Sequence, residues 1–186
     1  LIISIKWGPQ GEFKLRGREA VGGSHKGNRS DVNEDAILRL SEVPVYAVAD
    51  GMGGEGGGDV ASATALAMVK RRAAQLKQFN SSIHRDRSTK NRLSLMGFMD
   101  RLFNGASREI RQTATRESRP DVGTTLLVTT LVDEFAYVAH VGNSRAYLLR
   151  DGELQRLTED HTIAELRQRR GRTARDDASE GEVLYQ

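Results

Sequence analysis

The chain has 186 residues, 38% of them hydrophobic and 28% charged, with 28 basic against 25 acidic side chains and a formal net charge of +3. That length and composition suit a single folded domain and exclude a disordered chain. The small basic excess and the 5% aromatic content argue against nucleic acid as a partner. No cysteine is present, so disulfides and thiolate metal sites are excluded, in keeping with a reducing cytoplasm.

Residues 1–20 read as an N-terminal strand and extension. Their opening run, Leu1-Ile2-Ile3-Ser4-Ile5, is interrupted by Lys6 and is too short for a signal-peptide core. No apolar stretch in the chain reaches the roughly 18 residues of a membrane span. Ala36 to Leu40 reads as a strand, and Val45 to Ala49 follows it across a short turn with Pro44. A Gly-rich stretch from Gly51 to Gly58 comes next. Asp59 reads as the N-cap of a helix that reaches about Phe79. The polar residues 80–90 read as a loop. A second helix is predicted from about Arg92 to Arg116, with Leu95, Phe98, Met99, Leu102 and Phe103 on its apolar face.

The texture then turns β-rich, with strands predicted at Thr124 to Leu131, Phe135 to Val141, Ala146 to Leu149 and Glu153 to Leu157. Asp151-Gly152 is a two-residue hairpin signal, since both residue types accept positive φ. A short helix is predicted from Thr162 to Arg170, followed by a polar tail. Strands do not alternate with helices, so the expected class is α+β with antiparallel sheets.

The strongest chemical feature is Asp50-Gly51-Met52-Gly53-Gly54 at the end of an apolar strand. A carboxylate held there is a good ligand for a hard cation, and a following glycine lets the chain turn so that its carbonyl faces the same ion. An isolated Asp-Gly is ordinarily a solvated turn. A second acidic string, Asn33-Glu34-Asp35, changes the balance. If strands 36–40 and 45–49 pair as a hairpin, Asp35 and Asp50 lie at the same end of it. Carboxylates without cysteine or nearby histidine favour magnesium or manganese over zinc.

Other candidates are weaker. Gly51-Met52-Gly53-Gly54-Glu55-Gly56 carries the G-x-G-x-x-G spacing of dinucleotide sites, but that motif needs an acid-tipped strand about 20 residues on. Arg71-Arg72-Ala73-Ala74 falls there, inside a predicted helix, so an oxidoreductase is rejected. His140 lies in an apolar strand and reads as a satisfied structural histidine. His25 is a further candidate for acid–base work, and His161 reads as a cap or turn residue. Ser144 lacks a nucleophile-elbow context. The arginines between Arg167 and Arg175 read as a solvated helix face.

Taken in order, Asn33-Glu34-Asp35, Val48-Ala49-Asp50-Gly51-Met52-Gly53-Gly54, Gly123-Thr124-Thr125, His140-Val141-Gly142-Asn143-Ser144-Arg145 and Leu157-Thr158-Glu159-Asp160-His161 resemble the PPM-type (type 2C) protein phosphatases. Met52 is similar to the bacterial branch; eukaryotic members usually carry His there. The resemblance runs from about residue 21 onward. It implies two packed antiparallel sheets flanked by helices, and a two-metal site using Mn2+ or Mg2+. It further implies that Asp50 bridges the ions, that the Gly51 carbonyl binds one, and that Glu34 and Asp35 hold metal-bound waters. The implied reaction is attack of a metal-bridging water on phosphoserine or phosphothreonine in proteins. The complete domain is expected to be monomeric, with phosphorylated proteins as partners.

Three departures from that pattern stand out. The phosphate-gripping arginine is matched by Arg29, about one residue further upstream than in typical bacterial members. Asn143 stands where the family usually has an aspartate that helps bind a third metal, so third-metal binding is expected to be weak or absent. Finally, the family's later Ser-Asp-Gly and Asp-Asn strings do not occur in this sequence. The expectation is therefore a single partial phosphatase domain over 1–186, with 162–186 opening a variable flap and activity of the fragment alone doubtful. A catalytically inactive binding or regulatory module is the alternative, motivated by Asn143 and the missing ligands.

Overall fold

The computed structural model describes residues 2–6, 19–28, 31–40, 42–53, 57–119, 121–162 and 165. Its centre is an antiparallel sheet in the order β3 (Asp35–Leu40), β4 (Val45–Met52), β6 (Leu126–Val132), β7 (Phe135–Val141), with the short β5 (Gly123–Thr124) paired to the end of β4. Two further ribbons are antiparallel pairs, β1 (Ile2–Lys6) with β2 (Glu19–Gly23), and β8 (Tyr147–Arg150) with β9 (Glu153–Arg156). The class is α+β, as expected.

Alternation along the strands assigns the two faces. Val45, Ala47 and Ala49 of β4 join Leu126 and Val128 of β6 in one core with Ala61, Leu66 and Val69 of α1 (Gly58–Arg71) and Leu95 and Leu102 of α3 (Thr89–Arg116). Tyr46 and Leu131 face the other way and meet Ala20 of β2. Arg39 donates to the Ala20 carbonyl and ties the ribbon there. Covering on both faces explains why β4 reads as an unbroken apolar run and not as an alternating one. Ala20 of the β1–β2 ribbon thus covers part of the face opposite the helices. No helix among the described residues is long and apolar enough to cross a membrane.

The helical layer differs from expectation in three places. The helix predicted to end near Phe79 is broken at Arg72, and α2 (Ala73–Arg85) continues through most of the predicted loop. Its buried positions Leu76, Asn80 and Ile83 recur at helical spacing, but the middle one is polar. Asn80 is satisfied by donating to the Thr130 hydroxyl at 2.7 Å, so an apparently loop-like residue sits in the core. The third helix starts at Thr89 and not near Arg92. Ser88 is its N-cap, and the Asp86 carboxylate accepts from the Ser88 amide at 3.0 Å.

Asp59 is not an N-cap. Gly57 takes that place without a side-chain bond, and Asp59 lies in the first turn with Oδ1 buried and unpartnered among the described residues. The helix begins earlier because Gly57 and Gly58 let its first turn press on neighbours. A Cβ at Gly57 would lie 2.4 Å from Val122 Cγ2, and one at Gly58 would lie 2.7 Å from Glu34 Oε1.

The sheet strands fall close to their predicted spans, and the β8–β9 turn has Asp151 at φ 54° and Gly152 at φ 82°. Of the predicted helix 162–170 and flap 162–186, only Thr162 and Glu165 are described; the arginine run lies outside the described residues.

Leu76 is fully buried, whereas Leu93 is 58% exposed on α3. Leu76→Ala is expected to cost about 2–5 kcal/mol in urea denaturation, and Leu93→Ala to stay within about 0.5 kcal/mol. Equal effects would contradict the docking of α2 on the sheet.

Candidate active site

The β3–β4 hairpin forms, and its register sets Asp35 directly opposite Asp50. The kind of pairing matters. The Asp50 amide donates away from β3, to Thr125 Oγ1 at 3.0 Å, and the Asp50 carbonyl accepts from the Thr125 amide at 2.9 Å. The next residue, Gly51, turns its amide back toward the β3 side and donates to the Glu34 carbonyl at 3.1 Å. Asp35 and Asp50 are therefore a non-hydrogen-bonded pair, the arrangement that brings opposing side chains closest. Partial desolvation of the Asp50 carboxyl raises its pKa first. The charge of Asp35, a hydrogen bond between the two carboxyls and the charge of Glu34 push it the same way.

Asp35 is held from the N-terminal side. Its Oδ2 accepts from the Ser24 hydroxyl at 3.1 Å, and its amide donates to Asn33 Oδ1 at 3.2 Å. Asn33 in turn donates to Ser24 Oγ at 2.8 Å. Ser24 is a site residue that sequence reasoning missed; nothing in its local pattern distinguishes it from a surface serine.

Gly51 is constrained differently from the expectation. The chain does not turn at Gly51: β4 continues to Met52, pairing Gly51 with Thr124. Glycine is required there by close approach, because a Cβ would lie 2.0 Å from the Gly58 carbonyl oxygen and 2.8 Å from the Glu34 carbonyl oxygen. Glu34, half-buried, thus packs its backbone on Gly51 and its carboxylate on the first turn of α1, where an anion is favoured.

Asn143 is exposed in the loop after β7. Next to it, the Ser144 hydroxyl lies 2.7 Å from Thr125 Oγ1. Arg29 lies outside the described residues. Among the described residues no three acidic or histidine side chains converge on one point. The Asp35–Asp50 pair nonetheless fits a hard divalent cation. Its donors are oxygens, and its crowded negative charge is what a cation would relieve.

The histidines do not join this pair. His140 Nε2 contacts the Glu159 carbonyl at 2.6 Å, and its ring stacks on His161 with centroids 4.6 Å apart. Burial lowers the pKa of both, and for His161 the neighbouring His140 adds to the effect. His140 is thus a satisfied structural histidine, as expected. His161 also donates its amide to the Gly142 carbonyl at 3.0 Å. His25 is exposed, and its Nδ1 accepts from the Gly27 amide at 3.0 Å. The dinucleotide reading also finds no strand where it needs one, since α1 and α2 occupy that stretch.

Asp160 anchors the segment after β9. Arg145 grips its carboxylate, with Nε to Oδ1 at 2.9 Å and Nη2 to Oδ2 at 2.5 Å, and Arg156 adds Nη2 to Oδ1 at 3.0 Å. The hydrogen bonds from Arg145 hold the Asp160 carboxyl below the usual carboxylate range. A lowered folded-state pKa gives stability that is present above the unfolded pKa and lost as pH falls through the folded one. Asp160→Asn is expected to cost on the order of 1–2 kcal/mol at neutral pH, the half-exposed arginines being partly screened. The difference from the parent, followed by thermal melting, should shrink as the pH drops below about 4. A penalty that did not change with pH would count against the ion pair as its source.

The protein phosphatase 2C family model matches residues 21–180. The serine/threonine phosphatase stp of Listeria innocua is 30% identical over 154 residues, which cover 81% of this chain and 56% of that protein. A crystal structure of the Mycobacterium tuberculosis serine/threonine phosphatase PstP/Ppp superposes with a TM-score of 0.66 at 26% identity, over 88% of this chain and 65% of that one. A catalytic domain of PstP in complex with two manganese ions gives a TM-score of 0.64 at 27% identity, over 87% and 63%. The chain spans about half the length of the curated Listeria relatives it matches. The family match over residues 21–180, most of the chain, makes this protein a member of the protein phosphatase 2C family.

Proposed function

We propose that this chain contributes the first half of the active site of a metal-dependent protein serine/threonine phosphatase. The observation that carries the reading is the close pair of Asp35 and Asp50, with the Asp50 carboxyl driven up by partial desolvation and by its neighbour. Mn2+ or Mg2+, two ions in the complete domain, would occupy this end of the hairpin. When bound, such ions supply an acidified water and neutralise phosphoryl oxygens. Asp50 would lie between the two ions, the Gly51 carbonyl would add a ligand to one, and Glu34 and Asp35 would orient water around them. Arg29 would grip the phosphate of a phosphorylated protein. The reading extends to a monomer in the cytoplasm, the compartment a cysteine-free chain fits, and to 1–186 as one partial domain whose flap begins near 162.

The second reading is a catalytically inactive phosphatase-like module. Asn143, a neutral side chain where the family resemblance implies an aspartate ligand, favours it.

Turnover of a phosphothreonine peptide with Mn2+ by the intact protein separates the two. Activity is expected, and a folded but inert protein would favour the inactive module. Asp50→Asn is expected to reduce turnover to background while the circular dichroism spectrum is kept. Near-parent turnover would overturn the assignment of Asp50. For Asn143, calorimetric titration is expected to find no third ion at low Mn2+. Three tightly held ions per domain would contradict that.

A further inference from the structure

Thr125 bonds the Asp50 backbone and Ser144 bonds Thr125, and the proposed chemistry leaves both without a task. Thr125 is 4% exposed and holds both backbone groups of Asp50, accepting its N–H and donating to its carbonyl. Thr124 Oγ1 donates to the same carbonyl at 3.1 Å. Because these bonds all run to the β5–β6 side, Asp50 has no backbone bond to β3 at the level of Asp35. The Asp50 backbone is therefore held at this level from the Thr124–Thr125 side, and the next tie to β3 is the bond from the Gly51 amide to the Glu34 carbonyl.

The Thr125 hydroxyl has one proton and two lone pairs. One lone pair receives the Asp50 amide, and the 2.7 Å contact with Ser144 Oγ fixes where the remaining hydrogen-bonding capacity goes. The loop carrying Ser144 is pressed onto Thr125. Gly142 has φ 96°, and a Cβ on it would lie 2.7 Å from Thr125 Cγ2. From the other side, the His161 amide holds the Gly142 carbonyl. A continuous set of contacts thus runs from His161 through Gly142, Ser144 and Thr125 to Asp50.

We propose that Ser144 is a positioning residue, which acts through the Thr125 hydroxyl to fix Asp50 opposite Asp35. It fixes the Thr125 rotor, the rotor fixes the Asp50 amide, and the Asp50 side chain follows. The consequence for metal affinity rests on the phosphatase reading; the effect on Asp50 itself does not.

The test uses the intact protein and the variants Ser144→Ala, Ser144→Thr and Thr125→Ser. Without metal, hydrogen exchange at the Asp50 amide is expected to quicken about fivefold or more in Ser144→Ala, the loss of roughly one net hydrogen bond. It should stay near the parent rate in Ser144→Thr and Thr125→Ser, which keep both hydroxyls. With Mn2+, calorimetry is expected to show affinity about 10–100-fold weaker in Ser144→Ala, as for other groups that orient a ligand from behind, and largely restored in Ser144→Thr. Unchanged exchange at Asp50 in Ser144→Ala would overturn the proposal, as would equal effects of the alanine and threonine variants. If exchange quickens in Ser144→Ala while the parent protein binds no Mn2+, the positioning role stands and the metal reading falls.

Discussion

Everything near the hairpin end follows from one constraint: two carboxylates are placed opposite each other, on neighbouring strands, without a backbone bond between them at that level. Like charges so arranged repel, and the Asp50 carboxyl has its pKa raised first by partial burial and then by the charge of Asp35. A flexible loop would relax by moving them apart. Here each is gripped from its far side, Asp35 by Ser24 and Asn33, Asp50 by Thr124 and Thr125. The sheet behind the pair is packed on both faces, by the helical core on one side and by the contact among Ala20, Tyr46 and Leu131 on the other.

The strands were legible in the residues and the helices less so. β6 and β7 carry dense β-branched or apolar runs between turn residues, and their spans moved by no more than a few positions. The α2 helix was missed past Phe79 because one of its three buried positions is Asn80, whose partner Thr130 lies 50 residues away. A window of a dozen residues holds no sign of that partner. The same holds for Asp59, which looks like an ideal cap until two glycines shift the helix start.

The candidate site divides in the same way. Asp35 and Asp50 could be placed together because a short hairpin brings nearby sequence together. Glycine at position 51 could be marked as special, but for the wrong reason: the turn expected there is absent, and a tertiary contact with Gly58 demands it. Ser24 and the Ser144–Thr125 contact depend on segments brought together only by the fold. No local pattern announces them.

The meeting of Gly51 and Gly58 also governs how the chain can vary. Neither position has room for a methyl group, and each is blocked by the other or by Glu34. A substitution at one cannot be rescued by shrinking the other, since both are already as small as a residue can be. The intervening Met52 points outward and is 51% exposed. Adjacent positions in one strand therefore differ in the room they offer: the half-exposed side chain at 52 can change size, while 51 and 58 have no space even for a methyl group.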